Sequence, residues 1–447
     1  MKTVWPAAPP QVVDQELLPQ QPQQPRVKVL HVITRFAGGS GGNTLESASG
    51  MDPALYECWV AAMPGGPLWE TASERGVRTM HVTHMRERIS PLHDLLACRE
   101  LVRLMRRERF TVVHTHCSKA GLIGRLAARI VGVPAVVHTF HIFAVHEGLS
   151  PLRRRLYLLL DRAARPLADR YVAVAPRVAR EAVEQRVAGA GDIIAVPSAV
   201  DLDDIPTTAD PDVRDELGLA PERPVVGTVG RIVAQKCPLD FVRMCALIHE
   251  QRPEVQFVMV GDATLETAGL EAETRREAER LQVPVVFTGF RADAPRVAAS
   301  FDVYVVPSLY EGLGRAVTEA MASGRPVVAT AVNGVPDLVE PGSTGLLAEP
   351  SDPAALARAV LWMLDHPEEA ARMGAQGRDR VRSFFGRDVM CGALDELYGE
   401  LFGRPVATEG VPSATAREGT PEAEAEVPLS IPEQTRGRSG TRGDRVA

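Results

Sequence analysis

Paired cysteines are missing from this sequence. The six that occur, Cys58, Cys98, Cys117, Cys237, Cys245 and Cys391, form no C-x-x-C pair and follow no metal-ligand spacing. A disulfide framework and a zinc site are therefore excluded, and a reducing compartment fits best. No stretch approaches the roughly 18 uninterrupted apolar residues of a membrane-spanning helix. The N-terminus opens on Pro and Gln instead of a basic stretch followed by an apolar run, so no signal peptide is expected. The dinucleotide fingerprint G-x-G-x-x-G is incomplete, because Thr44 stands where the third glycine after Gly39 and Gly41 should be, and no G-K-[ST] phosphate loop follows. Both gaps weigh against a dehydrogenase or a nucleotide triphosphatase. No Asp-x-Asp metal motif ends a predicted strand. These absences predict a cytoplasmic protein, soluble or peripheral on the inner face of the cell membrane, with no cofactor, no metal and no nucleic-acid partner.

What is present is length and alternation. The 447 residues, 45% of them apolar, exceed what one hydrophobic core organises, so two domains are expected. Net charge is −7, unevenly spread: residues 26–197 carry 24 Lys and Arg against 15 Asp and Glu. A basic half suits a phosphate-bearing acceptor or an anionic membrane face, and equally a solvated charged surface. Residues 1–25, rich in Pro and Gln, and 404–447, rich in Pro, Glu, Gly, Thr and Arg, are expected to be disordered tails.

Between the tails, short β-branched runs alternate with helical patterns, the signature of parallel sheets covered on both faces. Strands are predicted near Val27–Ile33, Glu57–Ala62, Thr79–Val82, Thr111–His114, Ala135–Thr139, Tyr171–Ala175 and Ile193–Val196. A second set falls at Val225–Val229, Gln256–Val260, Val285–Thr288, Val303–Val306, Val327–Thr330 and Gly345–Ala348. The fold class that follows is α/β, with two Rossmann-like doubly wound domains, 26–197 and 224–385, facing an interdomain cleft. A polar, proline-punctuated linker at 198–223 joins them, and a C-terminal helix at 386–403 packs back near the first domain. Ligands of such sheets bind beyond the strands' carboxyl ends.

Chemistry-bearing residues collect at those ends. Val225–Val229 runs into Gly230-Arg231 and, five residues after Arg231, Lys236; a guanidinium and an ammonium there can surround a diphosphate, although two surface cations would read the same way. Val303–Val306 ends in Pro307-Ser308-Leu309-Tyr310-Glu311-Gly312-Leu313-Gly314, followed by a helix bearing Glu319. Glycines and a helix N-terminus favour an anion there, and the two carboxylates could accept hydrogen bonds from hydroxyls of a nucleotide sugar. In the first half, the Ala37–Thr44 glycine stretch precedes a helix and can supply amides to a phosphate. His114–Gly121 ends a strand and opens a helix, with Ser118 a plausible cap and Lys119 a possible phosphate contact. His138 and His141 end the next strand at the cleft and could orient a substrate. Leu152–Arg162, basic and apolar in mixed order, could lie on an anionic bilayer or be a core helix with an arginine-rich face.

Together, Val229-Gly230-Arg231 with Lys236, Val260-Gly261-Asp262, Phe287-Thr288-Gly289, Pro307–Gly312, Glu319–Thr330 and Gly334–Asp337 resemble the donor domain of the GT4 family of retaining glycosyltransferases with the GT-B fold. His114–Gly121 and His138–Gly148 are similar to members that build bacterial surface polysaccharides or modify lipid-linked saccharides. The resemblance implies a UDP- or GDP-linked sugar donor and a saccharide or lipid-linked acceptor. Arg231 and Lys236 would bind the diphosphate, Glu319 the ribose and Glu311 the transferred sugar, with Gly230, Gly312, Leu313 and Gly314 presenting backbone to the donor. Gly39 and Gly41 would approach the phosphates from the opposite domain, His138 or His141 would stand near the reacting sugar, and Gly289, Phe290 and Arg291 would flank the base. Ser118 and Lys119 are acceptor-side candidates. Cys237, Ile142, Ala199 and Ala263 occupy positions where the family commonly has glycine. A sugar-nucleotide epimerase of the same architecture and a catalytically silent nucleotide-sugar-binding protein remain as alternatives.

Overall fold

The computed structural model describes residues 26–142, 150–264 and 267–403. The two expected tails and residues 143–148 of the His138–Gly148 stretch lie outside them. Thirteen strands among the described residues form two sheets, and every hydrogen-bonded neighbour within them is parallel. The first sheet contains β1 (Val27–Val32), β2 (Tyr56–Ala62), β3 (Arg78–His81), β4 (Val112–His116), β5 (Ala135–Phe140), β6 (Arg170–Ala173) and β7 (Ile193–Ala195), in the order β3-β2-β1-β4-β5-β6-β7. The second contains β8 (Val225–Val229), β9 (Gln256–Val260), β10 (Val285–Gly289), β11 (Val303–Val306), β12 (Val327–Thr330) and β13 (Leu346–Ala348), in the order β10-β9-β8-β11-β12-β13.

The architecture is the doubly wound α/β pair that the alternation predicts. One strand differs in a way that matters: β4 runs two residues beyond the expected His114, because Thr115 and His116 keep pairing with His138 and Thr139 of β5. Both sheets reverse their winding at one place, between β1 and β4 and between β8 and β11. The chain leaves these strands in diverging directions, so a crevice opens at their carboxyl ends. The segments after β1, β4, β8 and β11 therefore line the ligand side.

Apolar packing continues across the join. A single cluster runs from Tyr171 and Ala173 of the first sheet through Val200 to Tyr304, Val306 and Ala329 of the second. The linker is clamped more firmly than its polar composition suggests. Ala199, Val200 and Ile205 are buried, and the Val200 N–H donates to the Phe385 carbonyl at 3.2 Å. Asp210 caps the short helix Pro211–Glu216 through the Asp212 N–H and also accepts from Arg296 at 2.6 Å. Beyond Phe385 the chain crosses back, and helix Arg387–Leu401 lies on the first sheet, with Met390, Leu394, Leu397 and Tyr398 packed among Val29, Val60 and Ala62. Each fully buried leucine contributes roughly 1.5–3 kcal/mol, so this helix is an integral layer of the first domain.

Candidate functional site

The switch point of the second sheet gathers most of the donor-side candidates. After β8 the chain turns through Gly230 and Arg231 to a single 3-10 turn, Ala234–Lys236; after β11 it runs through Ser308 to Gly314. The two loops are stitched together: the Leu309 N–H donates to the Gln235 carbonyl at 2.8 Å, and Gln235 Nε2 donates to the Tyr310 carbonyl at 2.8 Å. The Lys236 ammonium pairs with Glu311 Oε1, and the Ser308 hydroxyl donates to the same oxygen at 2.7 Å. The Glu311 N–H donates to Asn333 Oδ1 at 3.0 Å. Glu311 is only 6% exposed, and the ammonium and hydroxyl take the place of the water its carboxylate loses on burial. A small open pocket lies beside the pair, lined by Gly230, Arg231, Lys236, Phe241, Pro307 and Ser308. Arg231 stands exposed at its rim, with no ion-pair partner among the described residues.

Glu319 lies on helix Arg315–Ala322, where Arg315 Nε holds its carboxylate at 2.8 Å, one turn away. Arg315 was absent from the sequence candidates, yet it spans the cleft. It donates to the Ala199 carbonyl at 3.2 Å and comes within 3.9 Å of Glu46. Glu46 is buried on helix Gly38–Ser49 and is also approached by Arg75 at 3.2 Å and Arg387 at 3.6 Å. Burial pushes the Glu46 carboxyl above its ordinary range, against the pull of Arg315, Arg75 and Arg387. The spacing of Arg315 and Glu319, four residues apart on a helix, was the available signal.

The glycine stretch differs from the expected loop. Helix Gly38–Ser49 begins at Gly38 and has no side-chain cap, so its first amides are open at the cleft. Gly39 and Gly42 lie against Arg315: a Cβ on Gly42 would sit 2.8 Å from the guanidinium carbon. Gly41 turns inward onto Phe36 and Leu68 and does not reach the opposite domain. Ser118 opens helix Ser118–Val131, but the cap position belongs to Cys117, with no side-chain cap bond. Cys117 holds φ 61° there, a conformation that favours glycine. Lys119 is taken up by Asp94 at 2.7 Å and by the Arg88 carbonyl, which leaves its ammonium committed within the first domain. Near the expected base site, Gly289 has φ 71°, Phe290 is exposed, and Arg291 is bound to Asp293 at 2.7 Å and Glu216 at 2.9 Å. Of the four positions where glycine was expected, only Cys237 takes the left-handed conformation, at φ 45°. Ile142, Ala199 and Ala263 need no such freedom.

The two histidine candidates part company. His138 points to the face of the first sheet beneath helix Ser118–Val131, against Gly121, with its Nδ1 hydrogen-bonded to the Thr115 hydroxyl at 2.9 Å. It is sealed among Phe140 and Tyr171 and does not stand at the cleft. Alternation along β5 sets its side chain opposite to Thr139. His141, past the strand end, lies at the domain contact: its carbonyl abuts Gly312, where any Cβ would collide with it. On the Thr139 face, His31, His114 and His116 come together, one nitrogen of each within 4.8 Å of the others. Their rings are stacked at 20–29°, so their lone pairs lie in nearly parallel planes. His114 is bonded to the Tyr398 hydroxyl and the Thr139 hydroxyl, both at 2.6 Å, and His116 to His31 and His141, both at 3.0 Å. Only His31 Nε2 is unused, and one nitrogen does not make a metal site. All six cysteines are free.

Two parallel doubly wound domains, with carboxylates and cations at one switch point and open helix amides at the other, define a GT-B protein. Residues 37–204 match the Glycosyltransferase Family 4 profile, and residues 223–366 match that of Glycosyl transferases group 1. The chain is 29% identical to the UDP-Gal:alpha-D-GlcNAc-diphosphoundecaprenol alpha-1,3-galactosyltransferase of Escherichia coli, a similarity covering 76% of this chain and 88% of that protein. It is 32% identical to the 2-deoxystreptamine glucosyltransferase of Streptomyces kanamyceticus, covering 69% and 82% of the two chains. The crystal structure of Anabaena HepE in complex with UDP-glucose shares the fold, with a TM-score of 0.74 and 21% identity over 84% of this chain and all of that one. The chain belongs to glycosyltransferase family 4, and it is a glycosyltransferase.

Proposed function

We propose that this enzyme moves a sugar from a UDP- or GDP-linked donor to a saccharide or lipid-linked acceptor in surface polysaccharide or glycolipid assembly, with retention of configuration and without a metal. The observation that carries the reading is the Lys236–Glu311 pair set beside the free Arg231 guanidinium at the rim of the pocket. A diphosphate entering there draws Lys236 and Arg231 to its oxygens and releases Glu311 to the transferred sugar. Glu319 accepts from the ribose hydroxyls. As the glycosidic bond breaks, charge gathers on the leaving diphosphate, and the two cations and the open amides of helix Gly38–Ser49 offset it. The acceptor hydroxyl attacks the face that the diphosphate leaves and passes its proton to the departing phosphate oxygen as the new glycosidic bond forms.

The UDP-glucose bound to HepE and the UDP-Gal in the name of the E. coli relative favour a UDP-linked donor. The latter's diphosphoundecaprenol acceptor favours a lipid-linked one. Helix Pro151–Ala163 supports delivery at a membrane surface. Leu152 (80% exposed), Leu156 (51%) and Leu159 (56%) project from it beside the exposed Arg154 and Arg155, a mixture suited to an anionic bilayer. No helix among the described residues is long and apolar enough to cross a membrane. The test is a panel of UDP- and GDP-sugars offered with lipid-extract acceptors, read as released nucleoside diphosphate and product mass. Acceptor-dependent release with a new glycoside is expected; donor isomerised without a product, or bound without turnover, refutes the proposal. Pelleting with vesicles rich in phosphatidylglycerol, reduced by Leu152→Ser with Leu156→Ser, checks the membrane contact.

A further inference from the structure

Beneath the cleft lies a line of imidazoles that the donor chemistry leaves unexplained. His31 on β1 meets His116 on β4 through Nδ1 and Nε2 at 3.0 Å, and His116 meets His141 through Nδ1 and Nε2 at 3.0 Å. The register brings this about: His31 pairs with His114 across β1 and β4, and period-2 alternation puts His116 on the same face as His114. His114 is a wall to the line, because its two nitrogens are occupied by Tyr398 and Thr139. The line starts at a dead end, since His31 Nε2 is buried without a partner among the described residues. It finishes at His141, which is half-buried and touches the Gly312 loop of the donor domain.

The geometry points to a three-histidine relay in which His31 and His116 are positioning residues that lock His141 in one tautomer, so that it presents an Nδ1–H donor to the bound sugar nucleotide. The reasoning is a matter of counting protons. Each neutral imidazole has one N–H, and each of the two contacts needs one donor, so the whole line points one way or the other. If it points away from the cleft, His31 carries its proton on Nε2, and a buried N–H has nothing to bond. If it points toward the cleft, the same atom is only an unused lone pair. Buried orphan donors are rarer and costlier than under-used acceptors. The favoured order is His31 Nδ1–H to His116 Nε2, then His116 Nδ1–H to His141 Nε2, which leaves the His141 proton on Nδ1. Burial supports this by keeping the rings neutral: it lowers His31 to about 3 and His141 to about 4, and holds His116 well below its ordinary value.

The inference rests on the proposed donor site only for what His141 contacts; the tautomer itself can be read with no substrate present. Histidine-labelled full-length protein would be examined by long-range proton–nitrogen correlation, with rings assigned through single histidine-to-asparagine variants. Protonated Nδ1 and unprotonated Nε2 are expected for His31, His116 and His141. The opposite tautomer at these rings overturns the relay. Kinetics gives the second reading. In His116→Asn the side-chain amide takes the place of Nδ1 and can still donate to His141, so kcat is expected to stay within about threefold, whereas His116→Leu should lose about 10- to 100-fold in kcat with little change in donor KM. Equal losses in the two variants would reduce His116 to packing and end the proposal.

Discussion

Lys236 and Glu311 hold each other, so each substitution has two effects. Lys236→Ala should lower kcat by about 10²–10³, the scale of losing one preorganised stabiliser of a developing anion, and should destabilise the fold by a few kcal/mol because Glu311 stays buried and unpaired. Turnover at saturating donor and thermal melting measure these, and wild-type turnover removes Lys236 from the mechanism. Glu319→Ala should weaken donor binding in titration calorimetry with little effect on folding, since its partner Arg315 retains Glu46 and the Ala199 carbonyl; unchanged donor affinity would sink the ribose assignment. At this scale the donor-side candidates were legible because they follow strand ends in short spans of sequence. His31, His116 and Glu46 were not. Nothing in a strand such as Val27–Val32 says that its one histidine will face two others from β4.

Elements carry the next level of constraint. The loop after β11 approaches the segment after β5 so closely that Gly312 has no room for a side chain. Gly312→Ala should leave both domains folded but hold them apart, lowering kcat/KM by at least tenfold while the melting temperature changes little. Small-angle scattering should show an enlarged radius of gyration, and an unchanged profile with full activity would count against the contact. Helix Arg387–Leu401 gives a second test. It completes the first domain's core through Leu394, Leu397 and Tyr398, so residues 26–197 expressed alone should be insoluble, and adding a fragment containing residues 386–403 should restore helical signal and solubility. Strand and helix positions were readable from alternation, whereas the start of helix Gly38–Ser49 was hidden. Its glycines look like a loop, yet they are helical, and Gly42 leaves room that Arg315 from the other domain fills.

At the scale of the whole molecule, the first domain collects five histidines, His31, His114, His116 and His141 under the cleft and His138 on the opposite face of the sheet. Burial lowers all of them, His31 to about 3 and His141 to about 4, with His114, His116 and His138 well below the ordinary 6.5. Unfolded, each takes up a proton near pH 6.5, and folded it does not. Stability is therefore complete above about pH 6.5 and declines as pH falls toward 4. The melting temperature should drop between pH 7 and 5, before most carboxylates titrate, and His31→Leu should shallow that slope; a flat profile would mean that these rings are protonated in the fold. The sequence by itself determined the two α/β domains, their strands, the loops that carry the donor-side candidates and the family, because periodicity and short motifs are local properties of the chain. Only the tertiary structure decided which face each strand turns to the cleft, which separated His138 from His141. It also brought Arg315 to Glu46 and lined up His31, His116 and His141, since those contacts join residues far apart in sequence through sheet register and the docking of one domain on the other.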